Sequence, residues 1–359
     1  STYGRSLWIL DDITPLRQLD AKWPQSDAYL LRPRNTVRVR WDMNQDTPLP
    51  PETPAGNNPP DGATIYYFLK SAPAGDIKLS IYDAQNRLVR EYTDVAPIFD
   101  KTPANVPEYW FAPSTALSKK AGLNRFTWDL RYPALKAMRY SYYGNTLDYI
   151  EYTLADHAIP DEFPRELLQG PFVVPGQYSV VLTANGQTYR QPLTVTLDPR
   201  VQAPQSDLVK QLDAETSIAD QMAASYNGDT QVQTLREAIA DRLKSLAADA
   251  TKKDAVDALK ALHDQAKDVS DGKAEELGLG PLNRELGRLA FMIESGDARP
   301  AALLEAGVEQ YCQELGKRLT QWRDLNQQKI QPVNDVLQKY NLTPLSLAAN
   351  IPTAPRCEK

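Results

Sequence analysis

Leu193-Thr194-Val195-Thr196-Leu197-Asp198-Pro199-Arg200-Val201-Gln202-Ala203-Pro204-Gln205-Ser206-Asp207-Leu208 is the stretch in which the chain changes its structural grammar. Before Asp198, apolar and hydroxyl side chains alternate with the period of two that marks a half-buried strand. Asp198-Pro199 breaks the strand, and Pro204 followed by Ser206 as N-cap opens a helix that should run to about Tyr226. Composition follows suit on either side: Val, Thr and Tyr broken by turns upstream; Ala, Leu, Gln, Lys and Asp at helical spacing downstream. A main boundary near residue 200 follows. The chain's 359 residues, at about 150 per domain, also give two to three domains. Four segments are expected: an opening strand and linker over 1–24, a β-sandwich domain with insertions over 25–203, a helical bundle over 204–345, and a tail over 346–359.

Working back from the boundary, Tyr178 to Thr183 meets Asn185-Gly186 and returns as Leu193 to Leu197, a β-hairpin with a two-residue turn. Ile77, Leu79 and Ile81 alternate with Lys78, Ser80 and Tyr82, then reach the polar turn Asp83-Ala84-Gln85-Asn86 before Leu88-Val89 resumes. Val37, Val39 and Trp41 alternate with Arg38 and Arg40, which places the apolar set inward. Further strands are expected at Thr64 to Lys70 and Asn124 to Leu130. Six or seven short strands without helical periodicity between them predict an Ig-like or fibronectin-like antiparallel β-sandwich with long insertions. The surplus over a plain sandwich of about 100 residues lies in the Pro-rich stretches 46–62 and 94–116 and in segment 133–172.

Working forward, Asn227-Gly228 is a helix stop, and a second helix should start near Asp229. Leu235, Ile239, Leu243 and Leu246 share one face; Val256, Leu259, Leu262, Ala266 and Val269 share the next. Gly272 and Gly278-Leu279-Gly280 break the run. Leu282, Leu286, Leu289 and Ile293 mark another helix. Leu304, Val308, Tyr311, Leu315, Trp322 and Leu325 mark a long one that Pro332 should kink or stop. Amphipathic helices with short connections predict an antiparallel bundle, so the fold class is α+β multidomain. The Leu faces also offer a surface for homo-oligomers.

The composition excludes several chemistries. Hydrophobic residues at 42% and charged residues at 24% fit a folded chain rather than disorder. No window reaches the ~18 apolar residues of a membrane span, and residues 1–20 lack a basic-then-apolar signal pattern. A net charge of −6 with scattered Lys and Arg leaves no basic stripe for nucleic acid. His157 and His263 are the only histidines, and no HExxH or CxxC spacing exists, so no metal site or cofactor is expected. Without a GxSxG elbow, a nucleophilic triad is not supported. Gly278-Leu279-Gly280 has no strand before it and is a joint between helices rather than a phosphate loop. Asp11 and Asp12 are adjacent on a strand and point to opposite faces, which ends a strand rather than pairing acids for glycoside cleavage. Asp42, Asp46, Glu52 and Asp61 ring a Pro-rich loop where a cation is a minor alternative. Asp129 and Arg131 share a strand face, which favours an ion pair or cross-strand clamp. No catalytic residue is therefore assigned. Cys312 and Cys357 either close a disulfide between a helix and the tail, which suits an oxidising compartment, or remain two buried thiols.

Contact chemistry is better represented. Tyr140, Tyr142, Tyr143, Tyr149 and Tyr152 fall within thirteen residues of one insertion, a ring density that binds protein partners or sugars, or covers a neighbouring domain. With Trp41 and Trp110 in the Pro-rich stretches, Tyr140, Tyr142, Tyr143 and Tyr149 are the candidate ligand or partner contacts. Trp8 and Trp128 sit in strand-like runs where burial is the commoner fate.

Gly4-Arg5-Ser6-Leu7-Trp8-Ile9-Leu10-Asp11-Asp12 is a short apolar strand whose pattern does not recur, so it needs neighbours from elsewhere. Together with Ile13-Thr14-Pro15-Leu16-Arg17-Gln18-Leu19 it resembles the last blade of bacterial sortilin-like (VPS10-type), BNR-repeat β-propeller proteins. The resemblance continues in Trp41-Asp42-Met43-Asn44-Gln45-Asp46-Thr47-Pro48, Pro59-Pro60-Asp61-Gly62-Ala63, Phe126-Thr127-Trp128-Asp129-Leu130-Arg131-Tyr132-Pro133, Gly170-Pro171-Phe172-Val173-Val174-Pro175-Gly176-Gln177-Tyr178 and Leu197-Asp198-Pro199-Arg200-Val201. It covers residues 1 to about 201. It implies a secreted or periplasmic location and a non-catalytic C-terminal region that packs on the propeller or on another protein. Many members are labelled glycosyl hydrolases, which implies the alternative of a glycan-binding module or part of a glycosidase cleft. The propeller blades where such an active site would lie are not in this sequence.

Overall fold

The computed structural model describes residues 10, 12–18, 26–40, 50, 52–54, 60–95, 116–138, 169–246 and 250–357. Strands occupy the first part of the chain and helices the C-terminal part. Two compact units result: one of residues 1–133, 159–163 and 169–209, the other of 134–158, 164–168 and 210–359. Residues 134–138, the described start of the segment read from sequence as an insertion of the β-rich part, group with the helices.

The β-rich unit begins with the short helix α1 (Thr14–Arg17) and contains β1 (Ala28–Leu30), β2 (Thr36–Arg38), β3 (Ala63–Leu69), β4 (Lys78–Tyr82), β5 (Leu88–Thr93), β6 (Gly122–Trp128), β7 (Gly176–Ala184) and β8 (Gln187–Leu197). One sheet has the order β1-β3-β6, the other β2-β8-β7-β4-β5. Both expected hairpins form. Asn185 and Gly186 both take positive φ (52° and 73°), as a two-residue turn between twisted strands requires. Asn86 likewise takes φ 59° in the turn after Asp83, whose carboxylate accepts N–H bonds from Gln85 and Arg87.

Apolar side chains from both sheets form a single cluster, including Leu30, Ile65, Tyr67, Leu79, Ile81, Val89, Trp128, Val180, Leu182 and Leu193. Two departures from expectation concern β2. It pairs with β8 in parallel, not antiparallel. The chain leaves β1 in one sheet and crosses to the free edge of the other, and a crossover is not bound to the antiparallel sense that a tight hairpin imposes. Its faces are also inverted: Val37 is 43% exposed while Arg38 is 2% exposed. The guanidinium, not the isopropyl group, finds its partners inside (below).

The helical unit contains α2 (Gln205–Leu246) from Lys210 onward, α3 (Lys253–Asp271), the two-strand ribbon β9 (Gly272–Lys273) and β10 (Glu276–Leu277), α4 (Leu279–Glu294), α5 (Ala302–Asp324) and α6 (Ile330–Lys339). The apolar faces read from sequence are inward in α3 and α4. Three boundaries differ. Asn227-Gly228 does not stop a helix; α2 runs unbroken through it for 42 residues. A Cβ on Gly228 would lie 2.9 Å from Leu319 Cδ2 and 3.2 Å from Leu279 Cδ1, so this glycine admits neighbouring side chains rather than capping. Ser206 lies inside the first turn, because Pro204 O already accepts the N–H groups of Asp207 and Leu208. Pro332 does not end its helix: a π turn over Leu325–Lys329 precedes it and α6 continues to Lys339. Widening the turn before a proline accommodates the carbonyl its ring would strike and the N–H it lacks.

Residues 341–357 follow α6 without regular structure, and Cys357 is joined to Cys312 of α5 by a disulfide. Of the two readings of these cysteines, the bonded one is present.

Candidate functional site

Trp41, Trp110, Tyr140, Tyr142, Tyr143 and Tyr149 all lie outside the described residues, as do the strand through Trp8, Asp42, Asp46 and His157. What is described is the base on which the tyrosine-rich insertion stands. Its two stems leave β6 and enter β7. Tyr132 N donates to Pro171 O and Val173 N to Leu130 O, both at 2.9 Å, and Arg131 and Phe172 form an isolated antiparallel bridge. The stems are therefore zipped together.

Around this zip the β-rich unit concentrates arginine. Arg131 Nη1 donates to Gly170 O (2.8 Å), Arg38 Nη1 to Val173 O (2.9 Å) and Arg90 Nη1 to Tyr132 O (2.6 Å). The guanidinium carbons of Arg131, Arg40 and Arg38 lie 3.5, 5.0 and 5.4 Å from the centroid of the Phe172 ring, within cation–π range. Trp128, fully buried, donates from Nε1 to Arg131 O (3.1 Å). Gly170 is required here: a Cβ would fall 2.1 Å from Tyr132 O and 2.3 Å from Pro133 O.

The expected sharing of a strand face by Asp129 and Arg131 is not kept, because Leu130 between them takes φ 61°. Asp129 Oδ1 instead accepts from Arg131 N (3.2 Å) and from the Tyr92 hydroxyl (3.4 Å), while the guanidinium reaches across to the opposite stem. Burial, helped by the Asp129 charge, pushes the Tyr92 hydroxyl well above its ordinary pKa. The Tyr92 hydroxyl is therefore a neutral hydrogen-bond donor. The arrangement holds both ends of a long insertion at a set separation and surrounds them with positive charge.

No protein-family model, curated protein or solved structure matches the chain.

The helical unit has a second polar centre. Ser270 Oγ donates to Asp229 Oδ1 (2.6 Å), and Gln233 Nε2 donates to Ser270 Oγ (2.7 Å). Arg236 Nη1 reaches Gln233 Oε1 (3.2 Å) and Asp271 Oδ1 (3.0 Å). Burial raises the Asp229 pKa above the ordinary carboxylate value, more than its hydrogen bonds lower it. Ser270 is buried and already accepts and donates, so its hydroxyl is a structural link between α2 and α3 rather than a nucleophile facing a cleft. Nearby, buried Asn283 of α4 holds the segment 135–138 by its main chain: Met138 N donates to Asn283 Oδ1 and Asn283 Nδ2 to Lys136 O, both at 2.9 Å. Leu135 and Ala137 of that segment enter an apolar cluster with Ile218, Met222, Leu286 and Ile293. Among the described residues no group of His, Cys, Asp or Glu is arranged to hold a metal ion.

Nothing in the local pattern around Arg38 or Phe172 marks the two as partners. Asn283 is equally unmarked. An isolated Asn in an amphipathic helix has the same pattern as a solvated one, and nothing local distinguishes the two.

Proposed function

We propose that the chain is the non-catalytic interaction region of a secreted or periplasmic β-propeller protein. In this reading the two sheets form an Ig-like sandwich with long insertions, the helices form an antiparallel bundle, and the first segment packs on the propeller or a protein partner. The observation that carries it is a run of apolar side chains facing solvent at the start of the described chain: Leu10 at 66%, Ile13 at 41% and Leu16 at 58% exposure. These residues are not on a loose end. Gln18, which follows α1, clamps Arg32 at both its N–H (2.9 Å) and its carbonyl (2.8 Å), so the patch is presented from a fixed base. Apolar groups held rigidly in water mark a surface awaiting a partner. The Cys312–Cys357 disulfide supports an oxidising compartment.

The test is calorimetric titration of the whole chain with the propeller of the same protein, expressed separately. Binding that weakens at least tenfold with Leu10→Asp and Leu16→Asp is expected. A chain that folds normally from residue 25 onward and shows no affinity for the propeller would falsify the reading. A glycan-binding module is the second reading, supported by the tyrosine density of the insertion whose stems are so firmly held. It predicts glycan-array signals that disappear in Tyr142→Ala, Tyr143→Ala.

A further inference from the structure

Asn-Gly occurs twice in the sequence, at Asn185-Gly186 and at Asn227-Gly228, and the fold treats the two pairs oppositely. Both asparagines are exposed. Asn185-Gly186 is the two-residue turn of the β7–β8 hairpin, closed by the pair Ala184 and Gln187, so the N–H of Gly186 lies outside the ladder. Gly186 is exposed, and a Cβ there would meet nothing within 4 Å. Its amide nitrogen is open to water. Asn227-Gly228 lies inside α2. There the N–H of Gly228 is held by the carbonyl one turn back, and Gly228 is buried under Leu319 and Leu279.

The difference bears on a reaction the chain can carry out on itself. The side-chain carbonyl of an asparagine is attacked by the main-chain nitrogen of the next residue when that nitrogen can lose its proton and reach Cγ. Glycine admits the approach because it has no Cβ to obstruct it. In α2 the attack is blocked twice. The proton of Gly228 N is engaged in the helical ladder, and closing the ring requires Asn227 to rotate away from the helical ψ and break that ladder. The turn at Asn185 opposes the attack with no ladder bond.

We propose that Asn185 is a site of spontaneous self-modification, at which the folded chain converts its β7–β8 turn to an aspartyl or isoaspartyl linkage, and that α2 protects Asn227 from the same reaction. The site does not rest on the propeller reading. Gly186 N gives its proton to hydroxide and bonds to Asn185 Cγ. The Cγ–Nδ2 bond breaks, and the nitrogen takes a proton from water and leaves as ammonia, which restores the hydroxide. One water then opens the five-membered succinimide. Cleavage of the new N–Cγ bond leaves an aspartyl residue at position 185. Cleavage on the main-chain carbonyl side routes the chain through the former side chain and adds a methylene to it. Either product carries one more negative charge, and water is the only co-reactant. The aspartyl form keeps the length of the turn and tolerates the left-handed conformation. The isoaspartyl form lengthens a loop that sets the strand register, next to Ala184, which is fully buried in the core of the β-rich unit.

The test is storage of the folded full chain in mildly alkaline buffer, followed by peptide mapping with mass spectrometry that separates aspartyl from isoaspartyl products. Conversion at Asn185 is expected to be at least tenfold faster than at Asn227, and the two rates should come together when the chain is unfolded in guanidinium. Asn185→Gly, which keeps a residue suited to positive φ, should slow the gain of negative charge on storage. The isoaspartyl fraction, isolated by ion exchange, should unfold at lower urea than the fresh chain, whereas Asn185→Asp should unfold with it. Conversion at Asn185 no faster than at Asn227 in the folded chain overturns the proposal. So does a ratio of rates that survives unfolding, since the neighbouring residues and not the fold would then set it.

Discussion

Asp229 and Asp198 show how one residue type is put to opposite uses. Asp198, at the end of β8, accepts from the N–H and the guanidinium of Arg200, and that hydrogen bonding holds its pKa down at about 2. A carboxyl more acidic in the fold than in the unfolded chain contributes stability that is present above the ordinary carboxylate value, about 4, and is lost as pH falls through about 2. Asp229 has the opposite sign. Its pKa is raised, so the native state holds the proton more tightly than the unfolded one, and stability falls as pH rises above the ordinary value. Asp229→Asn is therefore expected to be at least as stable as the parent at pH 7 and to flatten the decline above the ordinary carboxylate value; Asp198→Asn should flatten only the acid limb. Urea melts across pH on both variants check this. Gly170 is a third residue with a single solution. Gly170→Ala drives a methyl group into two carbonyl oxygens and is expected to cost about 3 kcal/mol, the upper range of overpacking, by urea denaturation.

At the scale of elements, α2 and β2 both depart from what local rules predict. Asn-Gly is a helix terminator when the glycine is free to turn left-handed. Here Gly228 stays helical because the bare Cα lets Leu279 and Leu319 close over it, and burying those leucines outweighs the ~1 kcal/mol propensity cost of glycine. Gly228→Val is accordingly expected to destabilise the helical unit by about 1–3 kcal/mol in thermal melts, although Val is the better helix former. In β2 the expected alternation is present with its phase reversed. Val37 points out because Arg38 meets the Val173 carbonyl and the Phe172 ring on the inner side, and a one-residue change of phase exchanges every side chain between faces.

For the whole molecule, each unit has its own apolar cluster, so each should respond separately to damage. Trp128→Ala removes the largest fully buried side chain among the described residues of the β-rich unit and is expected to lower one calorimetric transition, by about 3–5 kcal/mol, while leaving the other in place. Cys357→Ser should act on the other transition alone. The disulfide spans a separation of 45 residues, and loop-closure entropy for that length predicts a loss of about 4 kcal/mol. A single transition shifted by both substitutions would show that the units melt together.

The sequence by itself determined that strands give way to helices near residue 200, both hairpin turns, and the inward faces of α3 and α4. Each of these rests on local periodicity or on turn residues such as Asn185-Gly186, whose preferences act over a few positions. It left open whether Cys312 and Cys357 meet, and it could not read the parallel pairing of β2, the continuity of α2, or the grip of Asn283 on distant main chain. The tertiary structure decided these. A buried guanidinium, a glycine under two leucines and an amide bound to a peptide unit are stabilised by groups far away in sequence, and no short-range pattern records which groups those are.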